Sequence, residues 1–342
     1  MSFIIRPVTM EDLEAVLDLA AQTGPGMTSL PADRNLLSEK IQDSINSLAI
    51  KPTKVGNQSY RFVMEHADSA GSRLVGICAI RDRIGGFEPF YSYKIQRARH
   101  QSIQLGVDLE VPYLELCKEY DGPSIISSLF LLPEFRKQGL GQYLSQARFL
   151  FMADFPERFT ETVIAEMRGV IDADNKSPFW EGTVRHFFDM DFDRADYLSV
   201  KDKGFIADLM PKYPIYIPLL PESVIQVIGQ VHHKTKPALK FLESQGFTRD
   251  GHVDIFDAGP RISAKISDIK TVSCSKKTKL IKTVSSETAN SFETIALVSN
   301  AKMDFRVALA RISVQDEGLI IDDKSAKKLG LILEEELRFL EI

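Results

Sequence analysis

Cysteine is scarce in this 342-residue chain. Its three residues, Cys78, Cys117 and Cys274, lie far apart, and no Cys-x-x-Cys pair occurs. That excludes a disulfide framework and a thiolate zinc site, and the expected role of all three is that of small buried apolar residues. No apolar run approaches the length of a membrane span, and the opening MSFIIRPVTMEDLEAV lacks the basic-then-apolar order of a signal peptide. A cytoplasmic chain with no membrane partner is therefore expected. A surplus of positive charge is also missing. With 42 Lys and Arg against 47 Asp and Glu, the net charge of -5 argues against a nucleic-acid partner. The local cluster Lys276, Lys277, Lys279 and Lys282 reads as a solvated strand or loop edge. No grouping of His, Cys, Asp and Glu suggests a metal, and none is expected. What is present is 44% hydrophobic and 26% charged residues, enough for a sizeable core and, at this length, two domains.

Residues 128–155, SLFLLPEFRKQGLGQYLSQARFLFMADF, organise the rest. An apolar strand breaks at Pro133, passes through a basic, glycine-containing turn and enters an amphipathic helix with Leu140, Leu144, Ala147 and Phe151 on its buried stripe. The turn reads Arg-x-x-Gly-x-Gly from Arg136 to Gly141. Chance would supply about 0.3 such matches in a chain of this length. Its weight comes from its position between strand and helix, where free amides can wrap a pyrophosphate.

Around this stretch the chain alternates strand and helix patterns. Residues 3–8 form a strand, and Thr9 with Asp12 opens a helix. The loop TGPGMTSLP at 23–31 offers hydroxyls and glycine amides suited to a carboxylate. A helix at 35–48 precedes a hairpin of 60–65 and 73–81. The aromatic stretch 85–100 reads as irregular, with Tyr91, Tyr93 and His100 facing core or cleft. Strands at 124–132 and 163–169 flank the central helix. Ser177 and Pro178 start a helix that carries Phe179, Trp180, Val184 and Phe187 inward. Val227–Val231 is a strand or a helix end that delivers His232 and His233. A helix stopped by Gly246 follows, then a strand-like HVDIFDAGP. RHFFDMDF at 185–192 and KFLESQGF at 240–247 rhyme as helix ends turning into strands, which permits a repeated strand-helix-strand arm near 163–192 and 227–256. Beyond Pro260, short β-type runs surround a helix at 323–329. The expected division is an acyltransferase-like domain at 1–260 and a small β-rich domain at 261–342.

Strand, basic glycine turn, helix, then a second strand and an aromatic helix together resemble the GNAT acyltransferase fold: an α/β (α+β) mixed sheet with flanking helices. Longer strings, RPVTMEDLEAVLDLAAQTGPGMTSLP, LFLLPEFRKQGLGQYLSQARFLFMADF, VIAEMRGVIDADNKSPFW, VIGQVH and VDIFDAGP, resemble the arginine N-succinyltransferase family. The resemblance implies transfer of succinyl from succinyl-CoA to the α-amine of L-arginine, with ornithine as an alternative acceptor, as the first step of succinyl-dependent arginine degradation. Succinyl-CoA is then a co-substrate and no prosthetic group is expected; the chain would form a homo-oligomer or pair with a similar chain. The resemblance places a coenzyme contact at Leu129 and the proton donor at His232. His233 stands where the family usually has Pro. It also marks a departure: the family's Ser-Glu-Leu-Cys-Thr is Ser124-Ile125-Ile126-Ser127-Ser128 here. Another acyl donor or amine on the same scaffold, and a non-catalytic coenzyme-binding subunit, remain as alternative readings.

Acyl transfer to an amine needs a polarised thioester carbonyl, which backbone amides near Leu129 to Leu131 can supply. The pyrophosphate would rest on the amides of Gln138, Gly139, Leu140 and Gly141, with charge from Arg136 and Lys137. Thr28, Ser29 and Arg168 are candidates for the succinyl carboxylate. Glu166, Asp172, Glu181 and Asp254 are candidates for the guanidinium, which prefers a bidentate carboxylate.

Overall fold

The computed structural model describes residues 2–24, 27–51, 56–68, 71–172, 174–201 and 203–342. In chain order its strands are β1 (Ser2–Pro7), β2 (Ser59–Asp68), β3 (Gly71–Arg81), β4 (Gly85–Ser102), β5 (Val107–Asp121), β6 (Ser124–Leu131), β7 (Thr162–Glu166), β8 (Ile215–Tyr216), β9 (Thr248–Val253), β10 (Pro260–Lys265), β11 (Lys276–Val284), β12 (Thr294–Ser299), β13 (Val307–Gln315), β14 (Gly318–Asp322) and β15 (Glu336–Glu341). They pair into one sheet in the order β12-β15-β11-β14-β13-β1-β2-β3-β6-β7-β10-β9-β4-β5-β8. From β1 to β10 every pairing is antiparallel except β6 with β7. This is the mixed sheet expected of a GNAT fold.

Three helices position the site: α1 (Leu13–Ala21), α2 (Arg34–Ala49) and α3 (Leu140–Asp154). Entry into α1 follows the expected cap, with a short 3-10 turn at Met10–Asp12 first. The Thr9 amide donates to Asp12 Oδ2 at 2.8 Å, and Arg6 clamps Asp12 and Glu65 at 2.8 Å each. Helix α3 starts where Gly139 takes a left-handed φ of 75°, a conformation that costs glycine nothing. All four residues of its expected stripe are buried, and Phe149 and Phe151 are fully enclosed in the main core.

Residues 85–100 are not irregular. They belong to β4, which pairs with β5 along a long hairpin. The apolar members Tyr91, Tyr93, Ile95, Leu114 and Leu116 pack on a second core, and the intervening Glu115 is exposed while Ser92 is buried. Recognising that pattern required both strands at once, because the register joins Tyr91 to Lys118 and Tyr93 to Leu116 across the hairpin.

Further helices are α4 (Pro178–Gly182), α5 (Arg185–Phe188), α6 (Phe192–Lys201), α7 (Gly204–Leu209), α8 (Glu222–Ile225) and α9 (Lys236–Ser244). Ser177 caps α4 as expected, accepting from the Trp180 amide at 3.2 Å. Phe179, Trp180 and Val184 are fully buried, but Phe187 is 51% exposed and Phe188 points inward in its place. The chain after α5 enters another helix, α6, whereas α9 turns into β9. The two rhyming segments thus diverge past their shared phenylalanine. Residues 226–229 form a turn at the end of α8, the helix-end alternative for that stretch. Cys78 is buried as expected, but Cys117 is half-buried and Cys274 is exposed.

The C-terminal strands close on themselves, since β12 pairs with β13 as well as with β15. The ring β12-β15-β11-β14-β13 encloses Leu280, Val298, Ile312, Leu319, Leu337 and Phe339. α12 (Asp323–Leu329), preceded by α10 (Lys270–Cys274) and α11 (Ser286–Ala289), contributes Ala326 and Leu329 to that core. Three lysines of the basic cluster are paired, Lys276 with Glu341 and Lys277 with Glu336 across strands and Lys279 with Glu334 in the turn before β15. Among the described residues, no helix is long and apolar enough to cross a membrane.

One buried contact fastens the ring to α3. Arg338 on β15 donates to Asp154 Oδ1 at 2.7 Å, to the Ala153 carbonyl at 3.0 Å and to Ser275 Oγ at 3.1 Å. The Asp154 side chain is only 1% exposed. Arg338→Met should strand that carboxylate and cost about 3–5 kcal/mol, read as a lowered midpoint in denaturant unfolding; an unchanged midpoint would show that the ring is held by its apolar contacts alone.

Candidate active site

The parallel pair β6 and β7 stays together for only two positions, Ser124 with Val163 and Ile125 with Ile164. Beyond them the strands part, and a cavity of about 940 Å³ fills the gap, lined by Ser127 to Leu131 on one side and Ala165 to Arg168 on the other. A bulge helps to open it. The register of β6 against β3 slips between Ile77 and Ala79, and Ser128 takes a φ of 53°, an uncommon conformation for a side-chain-bearing residue. Two bonds hold Ser128 there: its amide donates to Ser29 Oγ and its hydroxyl to the Ser29 carbonyl, each at 3.1 Å. The Ser128 amide is thereby consumed. Leu129, the next residue, lies half-buried on the cavity wall.

At one end of the cavity lie Leu131, Arg136, Gly139, Gly141 and Gln142. The first turn of α3 presents amides without intrahelical acceptors; the earliest turn bond there runs from the Gln142 amide to the Gly139 carbonyl at 2.9 Å. A methyl group on Gly141 would meet nothing nearer than Leu131 at 3.8 Å, so the space above this glycine is open. Arg136 spends its Nε on the Leu131 carbonyl at 2.9 Å, which braces the strand end and leaves the rest of its exposed guanidinium toward the opening. The Leu140 side chain is a core residue, 5% exposed, so only its amide can serve the turn. The side chains expected at Lys137 and Gln138 lie outside the described residues.

His232 lines the cavity and is 8% exposed, whereas His233 faces solvent and does not line it. Its amide donates to the Arg168 carbonyl at 2.9 Å, tying it to the chain that continues β7. Nδ1 accepts the Lys234 amide at 3.3 Å. A nitrogen that accepts cannot carry the proton, so the neutral ring bears it on Nε2. Burial, then the fields of Arg168, His233 and Lys234, hold the imidazole below its ordinary pKa of 6.5.

Charged residues approach the cavity from many elements. Glu166 ends β7 with Oε1 enclosed and unpaired, although the residue as a whole is only partly covered. Burial, then the nearby Asp254, pushes its carboxyl well above the ordinary range. Asp254 also lines the cavity, but its Oδ1 accepts the amides of Phe256 at 2.7 Å and Asp257 at 2.9 Å. Asp172 and Glu181 do not reach the cavity: Asp172 closes its own loop through the Asp174 and Lys176 amides, and Glu181 pairs with Arg185. Thr28, Ser29 and Arg168 all line it. Arg168 sits in the fields of Asp257, Asp196 and Asp193. Ile125 faces the cavity and not the core, so the departure noted on β6 lies within the site.

Six cations on the wall were missed from sequence: Lys40 on α2, Arg61 on β2, Arg81 on β3, Arg148 on α3, Lys203 at the start of α7 and Lys234, two residues after His232. The one available signal was Arg61, set in the apolar run Tyr-Arg-Phe-Val-Met, where a charge is costly unless used.

With this geometry in view, likeness to known proteins becomes informative. The family model described as arginine N-succinyltransferase beta subunit matches residues 3–271. The arginine N-succinyltransferase of Escherichia coli O139:H28 is 41% identical over 320 residues, 93% of this chain and 91% of that one. The protein of the same name from Shigella flexneri gives the same figures. Among solved structures, arginine/ornithine succinyltransferase subunit AI from Pseudomonas aeruginosa superposes with a TM-score of 0.89 at 32% identity, covering 99% of this chain and 98% of that one. Likeness of this extent, over the sheet, the parted strands and the histidine loop together, means that the chain belongs to the arginine N-succinyltransferase family.

Proposed function

We propose that this chain moves a succinyl group from succinyl-CoA to the α-amine of L-arginine, releasing N2-succinylarginine and coenzyme A. The observation that carries this reading is the shared cavity: the parted strands, the first turn of α3 and His232 all open onto one space. The pyrophosphate rests on the amides that open α3, with Arg136 beside it, and the pantetheine arm lies between β6 and β7. The thioester oxygen faces the Leu129 amide, which the Ser128–Ser29 pairing leaves as the next available donor on the bulge.

The acceptor ammonium first gives one proton to solvent and so becomes a nucleophile. Attack forms the N–C bond, and collapse breaks the C–S bond. The departing thiolate takes the proton that the new amide nitrogen sheds, while the Nε2–H of His232 donates a hydrogen bond to the sulfur as charge builds there. Glu166 receives the guanidinium, since its Oε1 is enclosed without a partner and an arginine side chain would supply the missing donors. The description of the family as a beta subunit supports association with a similar chain or a second copy.

Thiol release should require both succinyl-CoA and an amine: it is measured with succinyl-CoA or acetyl-CoA against arginine, ornithine or no amine, and coenzyme binding without release would defeat the proposal. His232→Ala should lower kcat at least about tenfold with an unchanged circular dichroism spectrum. Because His232 is held by the Lys234 amide on its Nδ1, a proton added at Nδ1 breaks that anchor and releases the ring from its working orientation. The acid limb of the wild-type kcat profile should therefore fall below pH 6.5, the side to which its pKa is shifted, and should vanish in the alanine variant. Gly141→Val should raise the KM for succinyl-CoA at unchanged thermal stability, because the space it fills is open in the chain itself; an unchanged KM would remove this turn from coenzyme binding.

A further inference from the structure

Arg61 is 5% exposed, in the middle of a strand whose neighbours Tyr60, Phe62, Val63 and Met64 are all fully buried. Among the described residues no carboxylate pairs with it within 4 Å. Its Nε is enclosed without a hydrogen-bond partner. Nη1 has only long contacts, 3.3 Å to Ser128 Oγ and 3.4 Å to the Ser29 carbonyl. The side chain lines the cavity, and Lys40 and Arg81 line it too. Lys40 feels Arg61, Arg81 and Lys203 as repelling neighbours; burial and these fields together pull its ammonium down to about 8. Burial, followed by Arg81, likewise draws Arg61 down to about 10, and Asp43 is the carboxylate whose field opposes that shift. Arg61 is the buried cation of the three, Lys40 being half-buried and Arg81 exposed, and a buried guanidinium on a cavity wall with no carboxylate paired to it marks a seat for an anion.

Position selects the anion. Ser128, which touches Arg61, directly precedes Leu129 on the wall where the thioester carbonyl is proposed to lie. In a succinyl group two methylenes separate the carbonyl carbon from the carboxyl carbon, a span of about 4 Å from standard bond lengths. One hydrogen-bonded residue beyond the carbonyl seat is therefore where the free carboxylate of the acyl group must end. Arg168, the earlier candidate, sits instead in the fields of Asp257, Asp196 and Asp193, which weaken its pull on a further anion.

We infer that Arg61, assisted by Lys40 and Arg81, binds the free carboxylate of the succinyl group and so makes the enzyme selective for a dicarboxylic acyl donor. This rests on the reading of the chain as an enzyme that uses succinyl-CoA. The arginine substrate also carries a carboxylate, and the test separates the two sources.

Wild type and Arg61→Met are assayed with succinyl-CoA and acetyl-CoA as donors, and with arginine and agmatine, which lacks the α-carboxylate, as acceptors. The preference for succinyl-CoA over acetyl-CoA in kcat/KM should fall about 10- to 100-fold in the variant, the range for hydrogen bonds to a charged group, by the same factor with either acceptor. A loss seen with arginine but absent with agmatine would assign Arg61 to the acceptor and overturn the inference. An equal loss for both donors would reduce Arg61 to a packing role and also overturn it. Wild type that does not use succinyl-CoA at all would defeat the proposed function itself, and the inference with it. As an independent readout, succinate but not acetate should raise the melting temperature of wild type, and Arg61→Met should abolish that rise. Should Arg61→Met not fold, Lys40→Met carries the same donor comparison, with a smaller fall expected and no fall overturning the inference.

Discussion

The structure depends on two neighbouring strands that stop bonding to each other. A parted sheet leaves backbone donors and acceptors without partners, and each must be met elsewhere. Here the Ser128 amide finds Ser29 Oγ and the Gly169 amide finds Asp257 Oδ2, while the Leu132 and Met167 amides extend the ladders to the outer neighbours through the Val75 and Pro260 carbonyls. The Arg168 carbonyl accepts the amide of His232. Repairing the gap is thus also what assembles the site, because the segments recruited to close its lips carry the histidine, the serine loop and the acidic turn.

Around that gap the chain keeps charges that it does not neutralise. Arg61 Nε, Arg168 Nε and Glu166 Oε1 are all enclosed without hydrogen-bond partners. Buried polar groups of this kind are costly to a chain alone, and they are tolerated where a bound molecule completes them. Cations and a carboxylate occur on the same cavity wall, so a ligand carrying both signs of charge suits it better than a neutral one. The cost to stability and the selectivity of the site have one origin.

The sequence carried the local features well. The Arg-x-x-Gly-x-Gly turn, the stripe on α3, the cap of α1 and the helix Asp323–Leu329 depend on neighbours within a few residues, and such signals survive in a linear reading. Pairings over long separations did not come through. Residues 85–100 read as irregular on their own because the strand that completes them, β5, lies in a separate stretch of the chain. Phe187 and Phe188 changed places because α5 is a single turn, too short for a periodicity to define its inner face. The cavity cations escaped for a related reason: Lys40, Arg61, Arg81 and Lys203 come from separate elements and meet only in three dimensions. Ring closure by β12 and β13 left no sequence mark at all beyond a series of short apolar runs.

A last consequence follows from how the sheet ends. Closing the C-terminal strands removes one free edge altogether. At the other end β8 covers only Tyr113 and Leu114 of β5, leaving most of that strand's length as a border. It carries Pro112 together with Glu110, Glu115 and Lys118, residues that discourage another strand from docking by its main chain. A protein with so many strands would otherwise risk growing into fibres. Because this border resists extension, copies or partner chains that meet this protein must do so through side-chain surfaces, which can be specific and reversible in a way that continued strand pairing cannot.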